Sequence, residues 1–258
     1  MLKILKMTLE KYSIINSCKI TVLVEDTPHK KKMGLLHKHG LSLLIEATSK
    51  NVKSKLLFDA GPSPEIIVNN LKILNSRLDD LDVIMLSHGH YDHLNGLLEV
   101  LKRTENPTPV IIHPKMLDPK FTYKPNLTYI GPRFNRSSIE AVRGILVPTN
   151  SPITIANGIT TSGEITLETN FEEPKGFWKL EGNRFIKDLM IDERALIINL
   201  STKGLIIVVG CAHRGIINTL RHAMRIMNEE KIHAVIGGFH LSKVDDEIIH
   251  TTVSELKK

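Results

Sequence analysis

The sequence predicts an α/β fold whose functional residues sit on loops at the C-terminal ends of strands. Three observations lead there. Short apolar, β-branched runs alternate with stretches of helical periodicity. A strand–strand–helix–strand–loop order occurs in the first half of the chain and recurs in the second, which predicts two similar lobes. The loop that closes the first unit, Ser87-His88-Gly89-His90-Tyr91-Asp92-His93-Leu94-Asn95-Gly96, gathers three histidines and an aspartate within six residues. Open α/β sheets place ligands and chemistry at such strand ends.

Taken in order, residues Met1 to Asn16 read as a variable leader. Lys19 to Glu25 alternates and is rich in β-branched residues, so it reads as a strand. The basic loop Asp26 to Lys38 follows, then strands at Leu41 to Ala47 and Lys55 to Phe58. Asp59-Ala60-Gly61-Pro62 breaks the third strand, and Pro64 opens a helix running to about Leu74. Asp82 to Leu86 is a buried strand, and Leu94 to Leu101 reads as helix. Val110 to His113 is a further strand. Residues 114–148 and 171–190 read as irregular inserts. Between them, Gly158 to Ile165 reads as strand and turn. Ala195 to Leu200 and Leu205 to Val209 are consecutive buried strands. Gly210-Cys211-Ala212-His213-Arg214-Gly215 is a sharp loop before a helix at Ile216 to Met227, whose apolar residues keep one face. His233 to Ile236 is the last strand, and it ends in Gly237-Gly238-Phe239-His240. The whole, 1–258, is expected to be one domain with its core at about 18–242.

The composition bounds the function. A hydrophobic share of 41% is ordinary for a globular core. Thirty-four Lys and Arg against 28 Asp and Glu leave a net charge of +6. That suits a small anionic substrate and falls short of a nucleic-acid signature. Two cysteines make no disulfide framework. No run approaches a membrane span, so a cytoplasmic location is expected. Nothing in the pattern speaks to oligomeric state.

Imidazole and carboxylate together suit a divalent metal such as zinc, iron or manganese, with magnesium suited to oxygen-rich sites. His88 and His90 project to one side of an extended loop. Asp92 and His93 fall where the chain turns into a helix and face a neighbouring position. One loop thus serves one or two ions. The chain has 12 histidines in 258 residues, so their density here argues against a chance polar loop. Structural zinc prefers closed, cysteine-rich sites, so a catalytic metal is the better reading. In the second half, Cys211, His213 and His240 stand at the corresponding loop positions. Cys211 read blandly is a small apolar filler, and His213 a cap on the next helix.

The H-x-H-x-D-H run resembles the signature of the metallo-β-lactamase superfamily. That resemblance implies a four-layer αββα sandwich with the metal site at one edge. It also gives Asp59 an alternative to a turn or N-cap role, namely support of the metal loop. The superfamily usually has a histidine ligand after a glycine near Gly163. Here Glu164 stands there, so either it ligates through oxygen or that ligand is missing. Cys211 occupies a place where the superfamily has an aspartate or a cysteine, and either Cys211 or His213 is the expected ligand. His39-Gly40-Leu41-Ser42, the Gly210 to Asn218 segment and Ile236 to Leu241 resemble the dihydropteroate-synthase-like branch, over about residues 18 to 242. That branch implies condensation of a dihydropterin diphosphate with a ribofuranosylaminobenzene phosphate in methanopterin-type cofactor synthesis. His39, Arg133 and Arg214 are then candidate substrate contacts. The basic and aromatic residues between Lys120 and Arg136 would hold phosphate and ring. Asp92 and His213 are the candidate catalytic groups. The leading expectation is a metallohydrolase acting on a small anionic substrate, with the condensing transferase as the alternative and a non-catalytic metal-binding protein as a third.

Overall fold

A computed structural model describes residues 14–258 except Lys124 and Lys243. Residues 1–13 of the expected leader and Lys124 of the basic insert therefore lie outside the described residues. Ile15 does not behave as leader: it is 1% exposed and packs in the central core.

The first lobe starts with the antiparallel strands β1 (Ser17–Val24), β2 (Ser42–Ser49) and β3 (Val52–Phe58). Helix α1 (Pro64–Ile73) crosses to β4 (Val83–Met85), which lies parallel to β3. The second lobe repeats this. β13 (Ala195–Leu200) and β14 (Gly204–Val209) are antiparallel, and α5 (Ile216–Met227) crosses to β15 (Ile232–Ile236), parallel to β14. With β5 (Thr108–Ile112) and β8 (Gly144–Pro148) the first sheet has six strands, in the order β1-β2-β3-β4-β5-β8. The second has five, β15-β14-β13-β10-β9, where β9 is Thr154–Ala156 and β10 is Ile159–Thr161.

The layering follows from which alternate residues are apolar. Along β2, Leu43 and Ile45 face one way and Leu44 the other, as the strand period of two requires. Leu43, Ile45, Phe58 and Met85 meet Leu196, Ile198 and Val208 of the second sheet. Leu44, Leu57 and Ile84 pack instead on Ile67 and Leu71 of α1. Ile197, Ile207 and Val209 pack on Ile216, Leu220 and Ala223 of α5. Both faces of both sheets are covered, so the strands read as continuous apolar runs. This is the expected four-layer αββα sandwich.

Three expectations change. The helix after the metal loop is two short pieces, α2 (Tyr91–Leu94) and α3 (Leu97–Leu101). The chain there presses on the first lobe: a Cβ on Gly96 would lie 2.0 Å from the Ala60 carbonyl oxygen. The two inserts are not irregular. β6 (Lys120–Tyr123), β7 (Leu127–Tyr129), β11 (Phe177–Glu181) and β12 (Arg184–Lys187) form a third sheet, β12-β11-β6-β7. Helix α4 (Arg136–Ala141) lies in the first insert. Each insert carries half of that pairing, so neither shows it alone. Finally, residues after the last strand form α6 (Asp246–Leu256), which the sequence reading passed over although Ile248, Ile249 and Thr252 recur at helical spacing.

Candidate metal centre

The metal loop is held by Asp59. This residue follows β3 with a left-handed φ of 57° and is fully buried. Its Oδ1 accepts the Ser87 backbone N–H (2.7 Å) and its Oδ2 accepts the Ser87 hydroxyl (2.7 Å). The Ser87 hydroxyl has one proton, given to Asp59, so toward His88 Nδ1 (2.9 Å) it accepts. Asp59 Oδ2 also takes the proton on His93 Nδ1, at 2.6 Å. One carboxylate thus leaves Nε2 of His88 and of His93 as the lone-pair nitrogens. Such outer partners orient ligand imidazoles and raise their basicity. The N-cap reading of Asp59 fails, since Ser63 occupies that place on α1.

Two sets of donor atoms then converge. His88, His90 and His213 place a ligand atom each within 4.8 Å of one another, and so do His88, His93 and Cys211. His88 is common to both. His93 Nε2 lies 3.1 Å from Cys211 Sγ and 3.4 Å from Asp92 Oδ2. The loop brings Cys211 and His213 each to a different set. The glycines permit this approach. A Cβ on Gly210 would lie 2.2 Å from Ser87 Oγ, and one on Gly237 would lie 1.9 Å from the Val209 carbonyl oxygen.

Electrostatics suit a cation here. Among the described residues, His90 Nε2 and both ring nitrogens of His213 are buried with no hydrogen-bond partner. Buried polar groups are ordinarily satisfied, so these nitrogens fit a ligand role. Burial holds the His88 and His213 imidazoles well below their usual pKa and brings His90 to about 3, so all three stay neutral and free to donate lone pairs. Burial opposes charge on His93, yet Cys211, Asp92 and Asp59 together raise its pKa well above the ordinary value. Positive charge is therefore favoured at that position. Burial raises the Asp92 carboxyl, but His93, His90 and His39 outweigh it and bring it to about 2.

The other expected residues are placed as follows. His240, at φ 48°, stands beside the cluster, its ring 4.4 Å from that of His213. It is in neither donor set. His39 Nε2 approaches Asp92 Oδ2 at 3.4 Å, and its Nδ1 faces Asp26 Oδ2 at 3.1 Å. The Arg133 guanidinium lies over the Tyr91 ring, 6.0 Å from its centroid. Arg214 donates through Nε to the Ile165 carbonyl and through Nη1 to the Leu189 carbonyl, both at 2.7 Å. Glu164 stands apart from the two sets. The turn at Gly163, with φ 65°, sends it to His113, whose Nε2 lies 2.9 Å from Oε1. His113 Nδ1 accepts the Lys115 backbone N–H (3.1 Å), so Nε2 carries the proton given to Glu164. His113 is buried.

Three residues were missed. Glu193 accepts the backbone N–H of His213 (2.7 Å) and of Arg214 (2.5 Å), and burial pushes its carboxyl up to about 7 despite those bonds. Asp192 accepts the Gly89 N–H at 2.8 Å. Both belong to the charged run Asp192-Glu193-Arg194, which directly precedes a buried strand; charge at such a point was the available signal. Phe177 packs against His90, His213 and His240, with centroids 4.9, 4.6 and 5.7 Å away. Nothing in its local sequence marks it. Two clefts open on the cluster. One, about 330 Å³, is lined by His39, His93, Cys211 and His240. The other, about 350 Å³, is lined by Phe171, Phe177, His213, Phe239 and His240.

An αββα sandwich with histidine-rich donor sets on facing loops at its edge defines a class of metal-site enzymes. The chain belongs to the metallo-β-lactamase superfamily, whose family model matches residues 38–177, and it is an enzyme of that fold. It is 38% identical, over 95% of its length and 84% of the relative's, to the 7,8-dihydropterin-6-methyl-4-(beta-D-ribofuranosyl)-aminobenzene-5'-phosphate synthase of Methanocaldococcus jannaschii. An uncharacterized protein of the same organism is 32% identical over 92% of this chain and 85% of that protein. A crystal structure of a metal-dependent hydrolase of the beta-lactamase superfamily superposes with a TM-score of 0.74 at 28% identity, covering 93% of this chain and 84% of the other. Among the described residues no helix is long and apolar enough to cross a membrane.

Proposed function

We propose that this enzyme condenses a dihydropterin diphosphate with a ribofuranosylaminobenzene 5′-phosphate, the alternative that the sequence placed behind a hydrolase. The carrying observation is the 38% identity across 95% of the chain to a synthase named for that product. In this reading the arylamine nitrogen forms a bond to the pterin methylene carbon. The carbon–oxygen bond to diphosphate breaks, and the nitrogen gives up a proton.

His88, His90 and His213 would hold one ion, and His93 and Cys211, with Asp92 beside them, a second. When bound, the metal supplies a Lewis acid that neutralises charge on the departing diphosphate. Asp92 stays ionised and lies at the edge of the donor sets, so it is the group to accept the arylamine proton. His39, between Asp26 and Asp92, orients that carboxylate. Phe177 keeps water from the ligand imidazoles on one side. The two clefts give each substrate its own approach to one centre.

The hydrolase reading retains one supporting observation, the superposition on a metal-dependent hydrolase of the superfamily. A direct assay separates the two. Purified protein is loaded in turn with zinc, iron, manganese or magnesium and given both condensation substrates. Ester, lactone and phosphodiester substrates are tested in parallel. Joined product with stoichiometric diphosphate supports the proposal; hydrolysis of the simple substrates without any joining would overturn it.

A further inference from the structure

Gly89 lies between His88 and His90, and what surrounds it is more elaborate than a turn requires. Its N–H is buried and donates to Asp192 Oδ2 at 2.8 Å. Asp192 Oδ1 accepts from Lys120 Nζ at 2.9 Å, and Asp188 Oδ2 accepts from the same ammonium at 2.8 Å. Asp188 Oδ1 in turn takes the Met190 N–H at 2.9 Å. These three charged side chains are 4%, 1% and 3% exposed for Lys120, Asp192 and Asp188. The lysine stem lies directly against the loop: a Cβ on Gly89 would come within 2.6 Å of Lys120 Cε and 2.3 Å of the Met116 carbonyl oxygen. Lys120 is thus no free cation for a substrate phosphate, contrary to the sequence expectation for that segment.

A buried ion cluster of this kind is an inefficient way to stabilise a fold, because desolvation offsets most of the attraction. Here it holds one cation and two carboxylates close to His88 and His90. The cluster also joins parts that are remote in sequence. Lys120 starts β6 of the insert sheet, and Asp188 directly follows its strand β12. The same sheet presents Phe177 to His90, His213 and His240. The insert sheet therefore reaches the ligands twice, through Phe177 on their rings and through Lys120, which holds Asp192 on the backbone between them.

We propose that Lys120 is a positioning residue of the metal loop. It fixes Asp192, and Asp192 holds the Gly89 amide so that His88 and His90 keep the separation an ion requires. The proposal does not depend on which reaction the enzyme performs.

The test uses Co²⁺ on the full chain, read by equilibrium binding and by the visible d–d spectrum. Lys120→Met keeps the stem and removes the ammonium. Because that leaves two unpaired buried carboxylates, Lys120→Met/Asp188→Asn is made as well, which preserves the net charge of the cluster. Asp192→Asn keeps an acceptor for Gly89, and Asp192→Ala does not. The expected result is a loss of Co²⁺ affinity of about 10- to 100-fold in the double variant, with an altered d–d spectrum. A smaller loss is expected in Asp192→Asn than in Asp192→Ala. A double variant that melts at lower temperature yet binds Co²⁺ with unchanged affinity and spectrum would have lost structural support alone and would overturn the proposal. Failure of the unaltered chain to bind Co²⁺ would overturn it together with the metal-site reading.

Discussion

At the scale of single residues, the centre divides its work between groups that face the ion and groups that aim them. His213 and Cys211 belong to different donor sets, so their loss should differ. His213→Ala should strip the ion held with His88 and His90, and Cys211→Ala the ion held with His93 and Asp92. Metal analysis of the two proteins after dialysis against one defined metal checks this. Each variant should retain one ion; loss of both ions from either would mean that the sets do not act separately. Asp59 acts through others: it fixes the proton on His93 Nδ1 directly and that on His88 through Ser87. Asp59→Asn should therefore lower metal affinity by roughly 10- to 100-fold while every ligand remains. Titration against a chromophoric chelator measures it. Glu164 offers the opposite control. Its carboxylate pairs with His113 and is about half exposed, so Glu164→Gln should leave metal content unchanged and cost under about 1 kcal/mol. A lost ion in that variant would restore it as a ligand.

At the scale of elements, the Gly210–Gly215 loop is shaped by what surrounds it more than by its own residues. Gly215, with φ 96°, has no side chain to cap α5. The cap comes from far away. Glu172 accepts the N–H of Ile217 and of Asn218, both at 2.8 Å, and a Cβ on Gly215 would lie 2.3 Å from that carboxylate. Glu172→Ala should thus cost about 1–2 kcal/mol, the usual worth of a lost cap. It should also loosen the segment 168–172 that Asn218 Oδ1 holds by the Glu168 and Thr169 N–H groups. Thermal melting reads the first effect, and amide exchange of Ile217 and Asn218 the second. Unaltered protection of those two amides would show that Glu172 is not their cap.

At the scale of the whole molecule, the donors come from both halves. His88, His90 and His93 follow β4 of the first lobe; Cys211 and His213 follow β14 of the second. An ion bound by both sets joins the two sheets at their open edge. Since it binds the folded chain and not the separated loops, it stabilises by mass action, about 2.7 kcal/mol at a hundredfold excess over Kd. Chelation should lower the melting temperature, and readdition of metal should restore it. A melting curve indifferent to chelator would remove this cross-link from the account.

The lobes were legible in the chain because strand and helix periods are local properties, and the four layers came with the superfamily resemblance. Apolar runs such as Leu205 to Val209 and the one-faced pattern of Ile216 to Met227 declare themselves without neighbours. The metal loop was legible for the same reason: its histidines and aspartate are adjacent in sequence. What only the tertiary structure decided are matters of pairing across distance. The third sheet exists because β6 meets β11, more than fifty residues on, and its edge strands form on either side of that pair. Glu164 turned to His113 and Arg214 to two carbonyls because Gly163 and the neighbouring loops fix their direction, which residue type cannot. Cys211 and His213 were separable only when their distances to His93 and His88 existed. Lys120 resembled a surface cation until Asp188 and Asp192 enclosed it. A side chain's chemistry is written in the sequence, but its partner depends on which remote segment the fold brings within hydrogen-bonding distance.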